Sequence, residues 1–211
     1  SQIEYSGGDV SIEDLIADEN VVITISHAGY IKRTNLSEYK TQNRGGVGQK
    51  SAGTRDQDFL ENMFVATNHQ YMMFFTQKGK CFWMRVYEIP EGSKTAKGRA
   101  IQNLVNIESD DKVKAFICTQ DLKDKDYINS HNLVMVTKQG QVKKTSLEKY
   151  SKPRVNGVAA ITIKEGDELL EAKLTNGESQ IILAVKSGKL VRFEETKTRP
   201  MGRTASGVRG I

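Results

Sequence analysis

The stretch Leu133-Val134-Met135-Val136-Thr137-Lys138-Gln139-Gly140-Gln141-Val142-Lys143-Lys144 holds a β-prone run, a polar pair, a glycine and a second β-prone run. That order predicts a hairpin, with the glycine supplying the positive φ of a tight turn. Three more segments align with it without gaps: Val22 to Arg33 around Gly29, Met72 to Trp83 around Gly79, and Ile181 to Arg192 around Gly188. The second residue after each glycine is apolar: Ile31, Cys81, Val142 and Leu190. The fourth is Arg33, Trp83, Lys144 or Arg192. Strand alternation puts one face of each hairpin on a core and the other toward solvent.

Outward from the hairpins the echo continues. Thr34-Asn35-Leu36-Ser37-Glu38-Tyr39 matches Thr145-Ser146-Leu147-Glu148-Lys149-Tyr150 at the same offset from the glycine. The copies recur about every 50 to 60 residues, a period of blades or solenoid repeats. Further strand candidates lie between them: Met63 to Thr67, Val113 to Cys118 and Leu169 to Leu174. The reading is an all-β fold, a propeller built from repeated antiparallel blades, as one repeat domain over residues 1–211. Approximate blades are 10–55, 56–107, 108–165 and 166–211. Moderate apolar content and few aromatics predict several small cores, one per repeat. Ser11 to Ile16 reads as at most a short helical turn; Pro90 to Lys97 and Leu122 to Ser130 read as loops.

A second pattern runs in phase with the hairpins. After each comes a segment of basic residues, glycines and small residues: Gln42 to Lys50, Lys94 to Ala100, Lys152 to Val158 and Arg199 to Arg209. The chemistry suits a phosphate backbone. Glycine lets the main chain approach closely and turn N–H groups outward. Arginine and lysine neutralise phosphates and release counterions, while Asn, Gln, Ser and Thr add uncharged donors. One such segment alone reads equally well as a solvated loop; four in phase favour an arc of positive charge along a rim.

Gln42-Asn43-Arg44-Gly45-Gly46-Val47-Gly48 resembles the gyrase A box, a heptapeptide of pattern Gln-basic-Arg-Gly-Gly-Lys-Gly. Asn43 and Val47 depart from it; Lys40 and Lys50 flank it and can compensate. The whole chain resembles the C-terminal, DNA-wrapping domain of the bacterial gyrase A subunit, with about four of the six blades of that family's β-pinwheel. The resemblance implies a basic outer rim around which duplex DNA wraps with little sequence preference, enabling negative supercoiling. It places phosphate contacts at Gln42, Arg44, Lys50, Lys97, Arg99, Arg154, Arg203 and Arg209, with Gly45, Gly46 and Gly48 shaping the box. It implies partners as well: the N-terminal domain of the gyrase A subunit together with the gyrase B subunit in an A2B2 assembly, in the bacterial cytoplasm on the chromosome. The chemistry would be that of an ATP-dependent type II topoisomerase, with ATP and Mg2+ used elsewhere and no cofactor or catalytic residue in this part. Two rivals stand beside it. One is the equivalent domain of topoisomerase IV, against which the near-complete first box argues. The other is a protein-binding propeller whose basic loops only solubilise it.

Other readings are weaker. The net charge of +5 is mild, so clustering matters more than the total. No apolar run approaches the roughly 20 residues that cross a bilayer, and both chain ends read as cut points inside a longer protein. Cys81 and Cys118 sit in strand-like stretches and read as core filler in a reducing compartment. Gly48-Gln49-Lys50-Ser51 lacks the Gly-Lys-Ser adjacency of a phosphate loop. Asp121, Asp124 and Asp126 miss calcium-loop spacing, so they read as a solvated turn. His27, His69 and His131 have no ligand cluster in register and read as surface residues; Tyr39 and Tyr150, at matching repeat positions, read as packing residues rather than nucleophiles. Glu194-Glu195 are strand neighbours facing opposite ways, a poor acid–base pair.

Overall fold

A computed structural model of the chain describes residues 12–39, 58–177, 180–184 and 190–210, and of 180–184 and 190–193 it describes the backbone. The chain divides into two compact units, residues 1–70 with 85–98 and residues 71–84 with 99–211. The first unit holds β1 (Asn20–Ser26), β2 (Tyr30–Asn35) and β3 (Leu60–Thr67), side by side in the order β3-β1-β2. The second holds β4 (Tyr71–Thr76), β5 (Lys80–Arg85), β6 (Arg99–Ala100), β7 (Val113–Thr119), α1 (Lys125–Ser130), β8 (Asn132–Thr137), β9 (Gln141–Ser146) and β10 (Val158–Ala159). It continues through β11 (Leu169–Thr175), β12 (Gln180–Ala184), β13 (Leu190–Glu194) and β14 (Val208–Arg209). Its sheets run β10-β5-β4-β7 and β11-β8-β9-β14, and β12 and β13 pair as a separate two-stranded sheet.

The hairpins form where the glycines predict them. β1 pairs antiparallel with β2 in the register Ile25↔Ile31, and β8 with β9 in the register Val136↔Val142. Gly29, Gly79 and Gly140 have φ of 87, 89 and 86°. Each donates its N–H three residues back, to Ser26, Thr76 and Thr137, at 3.0, 2.9 and 3.0 Å. A β-turn closed by a left-handed glycine in this way is a common hairpin connection. The same Ser26, Thr76 and Thr137 accept the N–H after the glycine on their hydroxyls, each at 3.1 Å. The turn at Gly188 lies outside the described residues, although β12 and β13 pair in the register Ala184↔Leu190.

Three expectations need correction. The core of the second unit is shared between repeats: Met73, Phe75 and Cys81 of one sheet cluster with Leu133, Met135, Leu147 and Tyr150 of the next. The Phe75 and Tyr150 rings meet edge to face at 6.1 Å. The large side chains of neighbouring sheets interdigitate, so the cores merge. Within Leu122–Ser130, α1 forms a helix over Lys125–Ser130 rather than a loop, because the Asp124 carboxylate caps it, accepting from Asp126 N and Tyr127 N. The third correction concerns the solvent face of the second hairpin strand. Lys32 and Lys143, one residue beyond the apolar positions and so on the opposite face, are buried, and Lys144 is buried as well. Burial of Ile31, Cys81 and Val142 is as alternation predicts.

Candidate nucleic-acid interface

Each of the three described basic segments ends in a glycine and a two-residue strand. Gly98 precedes β6, Gly157 precedes β10 and Gly207 precedes β14, with φ of 85, 72 and 88°. A Cβ at each would lie 2.5, 2.8 or 2.5 Å from the carbonyl oxygen of Ile31, Cys81 or Val142. Those carbonyls belong to the apolar residue two places after a turn glycine. Only a residue without Cβ lets the segment close down on the hairpin at that distance. These glycines therefore dock the segment on the hairpin.

The docking skips one hairpin. β10, from the segment after the third hairpin, pairs with β5 of the second, in the register Val158↔Cys81. β14, from the segment after the fourth, pairs with β9 of the third, in the register Val208↔Val142. Each sheet is thus completed by chain that follows the next hairpin. Adjacent segments of the second unit also touch. Asn106 Nδ2 donates to Asn156 Oδ1 at 3.1 Å, and Thr162 Oγ1 to the Thr204 carbonyl at 2.5 Å.

On this frame the cations are placed as follows. Lys97 is exposed in the first unit, its Nζ 4.0 Å from the centre of the Tyr30 ring, a cation–π contact. Lys94 lies over Tyr39 in the same way at 4.9 Å. In the second unit Arg99, Arg154 and Arg209 are exposed. Arg203 is half-buried, and one guanidinium nitrogen donates to the Ala159 carbonyl at 3.1 Å, leaving the rest of the fork for a ligand. Gln42, Arg44, Gly45, Gly46, Gly48 and Lys50 lie outside the described residues.

Several structural residues escaped the sequence reading. Asp58, Asp111 and Asp167 clamp the three described turns. Their Oδ1 atoms accept the N–H of Ala28, Lys78 and Gln139, each just before a turn glycine, at 2.8, 3.1 and 2.8 Å. Each also accepts the N–H of its own successor, at 3.0, 2.9 and 2.8 Å. Burial works to raise the Asp58 carboxyl, but the hydrogen bonds from Ala28, Ser26 and Phe59 and the nearby His27 prevail and hold it below its ordinary value. The signal was present, an aspartate before each third strand, but its distance from the glycine varies with the intervening loop.

Glu195 is another. It is fully buried and its carboxylate accepts from Thr175 Oγ1, from Asn132 Nδ2 at 3.3 Å and from Gly177 N at 3.1 Å. The Lys144 ammonium lies 3.8 Å away and donates to the Glu195 carbonyl at 3.0 Å. Tyr150, also fully buried, donates its hydroxyl to the Ala160 carbonyl at 2.9 Å, the packing role expected of it. Burial pushes the Cys81 thiol well up and that of Cys118 to about 11. Protonated at neutral pH, both suit core filling. His69 and His131 are half-buried and bond backbone carbonyls of Ile16 and Tyr127 at 2.7 and 2.8 Å.

The family described as DNA gyrase C-terminal domain, beta-propeller, matches residues 20–67, 70–120, 131–176 and 180–211, one match per hairpin repeat. This chain belongs to that family. Its relatives include the DNA gyrase A subunit of Salmonella typhimurium, 41% identical over 211 residues, which are 100% of this chain and 24% of that protein. The DNA gyrase A subunit of Buchnera aphidicola is 44% identical, again over 100% of this chain and 24% of that protein. The chain thus spans about a quarter of the length of these relatives. Among solved structures, the C-terminal domain of DNA topoisomerase IV matches with a TM-score of 0.74 and 29% identity, covering 92% of this chain and 57% of that one. The DNA gyrase A C-terminal domain matches with a TM-score of 0.68 and 23% identity, covering 92% and 60%, a likeness of fold. As a gyrase C-terminal β-propeller domain, the chain has the all-β repeat architecture that its hairpins predict. No helix among the described residues is long and apolar enough to cross a membrane.

Proposed function

We propose that this chain binds and wraps duplex DNA along the edge that carries its basic segments, as the wrapping domain of a bacterial DNA gyrase. The observation that carries the reading is the recurrence of exposed cations, with Arg154 and Arg209 on segments docked in the same way on the second and third hairpins and Arg99 exposed on its own basic segment. Binding of this kind uses phosphates and not base edges, so it has little sequence preference. Smooth bending of a 20–30 base-pair site costs about 1–6 kcal/mol, which distributed phosphate contacts offset. Box residues Gln42, Arg44, Gly45, Gly46, Gly48 and Lys50 would extend the same track, with Lys97 and Arg203.

In the whole enzyme, the wrapped segment would be presented to the strand-passage machinery in a fixed sense, so that passage introduces negative supercoils. The catalytic tyrosine, ATP and Mg2+ belong to other parts of that A2B2 assembly, in the bacterial cytoplasm. The relatives, DNA gyrase A subunits, support this over the topoisomerase IV reading, which the 29% identical structure keeps as the alternative.

The test is a duplex-DNA titration across salt, followed by ligation of nicked circular DNA in the presence of the protein. Six to ten phosphate contacts lower affinity by about 10³–10⁵ between 50 and 200 mM salt. A flat salt response would reject DNA binding and favour a protein-binding propeller. A steep response with unchanged linking number would favour the topoisomerase IV reading.

A further inference from the structure

The third residue after a turn glycine is Lys32 in the first repeat, Phe82 in the second and Lys143 in the third, and all three are buried. Lys32 Nζ donates to the carbonyls of Ser93, Lys94 and Ala96 at 3.0, 2.7 and 2.7 Å. An ammonium carries three protons, and these carbonyls take all of them. Lys143 Nζ donates to the Ala160 carbonyl at 2.5 Å and to the carbonyl of Arg203. Phe82 meets the corresponding segment with its ring: a Cβ on Gly157 would lie 2.7 Å from Phe82 Cε1. In every described repeat, then, this position touches the basic segment that follows the next hairpin.

We infer that Lys32 and Lys143 are positioning residues for DNA contact: each clamps the backbone of the basic segment delivered after the next hairpin and thereby aims that segment's cations. The inference rests on the DNA-wrapping reading. Neither ammonium is aimed at phosphate itself: Lys32 commits three protons and Lys143 two to backbone carbonyls. What each holds is the chain from which the exposed cations project. The carbonyls on Lys32 flank Lys94 and Lys97, and Lys94 N also donates to Glu38 Oε2 at 2.8 Å. Lys143 takes the carbonyl of Arg203, a proposed phosphate contact. A cation on a pinned backbone loses less freedom when it meets DNA. It also stays at a fixed point along the arc, which wrapping requires because stiff duplex touches successive contacts only if they follow one curve.

The test uses the full-length protein that contains this chain. Lys32→Met and Lys143→Met keep the aliphatic length and remove the donors. Amide hydrogen exchange should quicken over residues 93–98 in the first variant and 201–207 in the second. The slope of log affinity against log salt should fall by about 0.9 for each phosphate that the variant no longer neutralises, and ligated circles should retain a smaller linking difference. Ile23→Val, in the sheet that carries Lys32, controls for general loosening and should leave the salt slope alone. The inference is overturned if both lysine variants keep the wild-type slope and linking difference, or if Ile23→Val lowers the slope as much. Should a Met variant fail to fold, the matching Lys→Phe variant, which copies the second repeat, is read by the same criteria. Wild-type binding that ignores salt would overturn the wrapping reading, and this inference with it. Hydrogen exchange would then still separate the clamp from its proposed purpose.

Discussion

The indole Nε1 of Trp83 donates to the backbone carbonyl of Tyr150 at 3.1 Å, tying the second hairpin to the short helical turn after the third. Arg33 and Lys144 stand at the same place in their repeats. Arg33 Nε donates to the Ile89 carbonyl at 3.1 Å and Lys144 Nζ to the Glu195 carbonyl at 3.0 Å. Three unlike side chains share one task, which is to donate a hydrogen bond to a backbone carbonyl of the chain leaving the next hairpin. Trp83→Phe keeps most of the apolar contact and drops the donor. It should cost about 1 kcal/mol, read by denaturant unfolding. An unchanged stability would show that water replaces the bond without penalty.

Two turn glycines with the same φ should respond differently to alanine. A Cβ at Gly29 meets nothing within 4 Å, whereas one at Gly79 would lie 2.4 Å from the Ile161 carbonyl oxygen. Gly29→Ala should cost about 1 kcal/mol, the strain of a left-handed residue. Gly79→Ala should cost about 2–4 kcal/mol, because overpacking against backbone adds to that strain. Equal melting shifts would contradict this packing.

The buried pair of Lys144 and Glu195 lends itself to a double-mutant cycle. Lys144→Met removes the ammonium beside the buried Glu195 carboxylate and should destabilise by about 3 kcal/mol. Lys144→Met with Glu195→Gln should cost less than the sum of the single changes, since the second removes the charge that the ammonium faced. Strict additivity would mean that the two side chains are uncoupled.

Burial, with Arg203 adding its charge, lowers the Lys143 pKa from 10.5 to about 7. The unfolded chain therefore holds this proton over a range where the folded protein has released it. The sign follows: the contribution of Lys143 to stability rises with pH above about 7 and levels off near the unfolded value of 10.5. The other titrating groups here are Cys81 and Tyr150, both pushed up by burial. Their effect is of opposite sign and begins only as pH nears their unfolded values, so the window just above neutrality belongs to Lys143. From pH 7 to 8.5 wild type should gain on the order of 1 kcal/mol relative to Lys143→Met. Parallel stability curves for the two proteins would count against it.

Replacing Gln42 to Gly48 with alanines should weaken DNA affinity only modestly, because the other basic segments remain. In the full enzyme the same variant should lose negative supercoiling and keep relaxation, since wrapping needs contact along the whole arc. Normal supercoiling would show that the box, with Asn43 and Val47 in it, is not the working element.

The hairpins and their basic sequels were legible in the chain because their signals are local. A glycine at positive φ, alternation on either side and a cluster of cations are each written within a dozen residues, as around Gly140. The aspartate clamps were harder to see. Asp58, Asp111 and Asp167 act across loops of unequal length, so their spacing carries no fixed period.

Sequence by itself thus determined the β-hairpin repeat, its turn glycines and the recurrence of positive charge. Tertiary structure alone decided which hairpin each segment completes. β10 and β14 are two residues long, too short for alternation to mark, and they pair with the hairpin before the one they follow. It also decided that Lys32, Lys143 and Lys144 point inward. A lysine looks like a surface residue until a neighbouring repeat supplies the carbonyls that can take its protons in the absence of water.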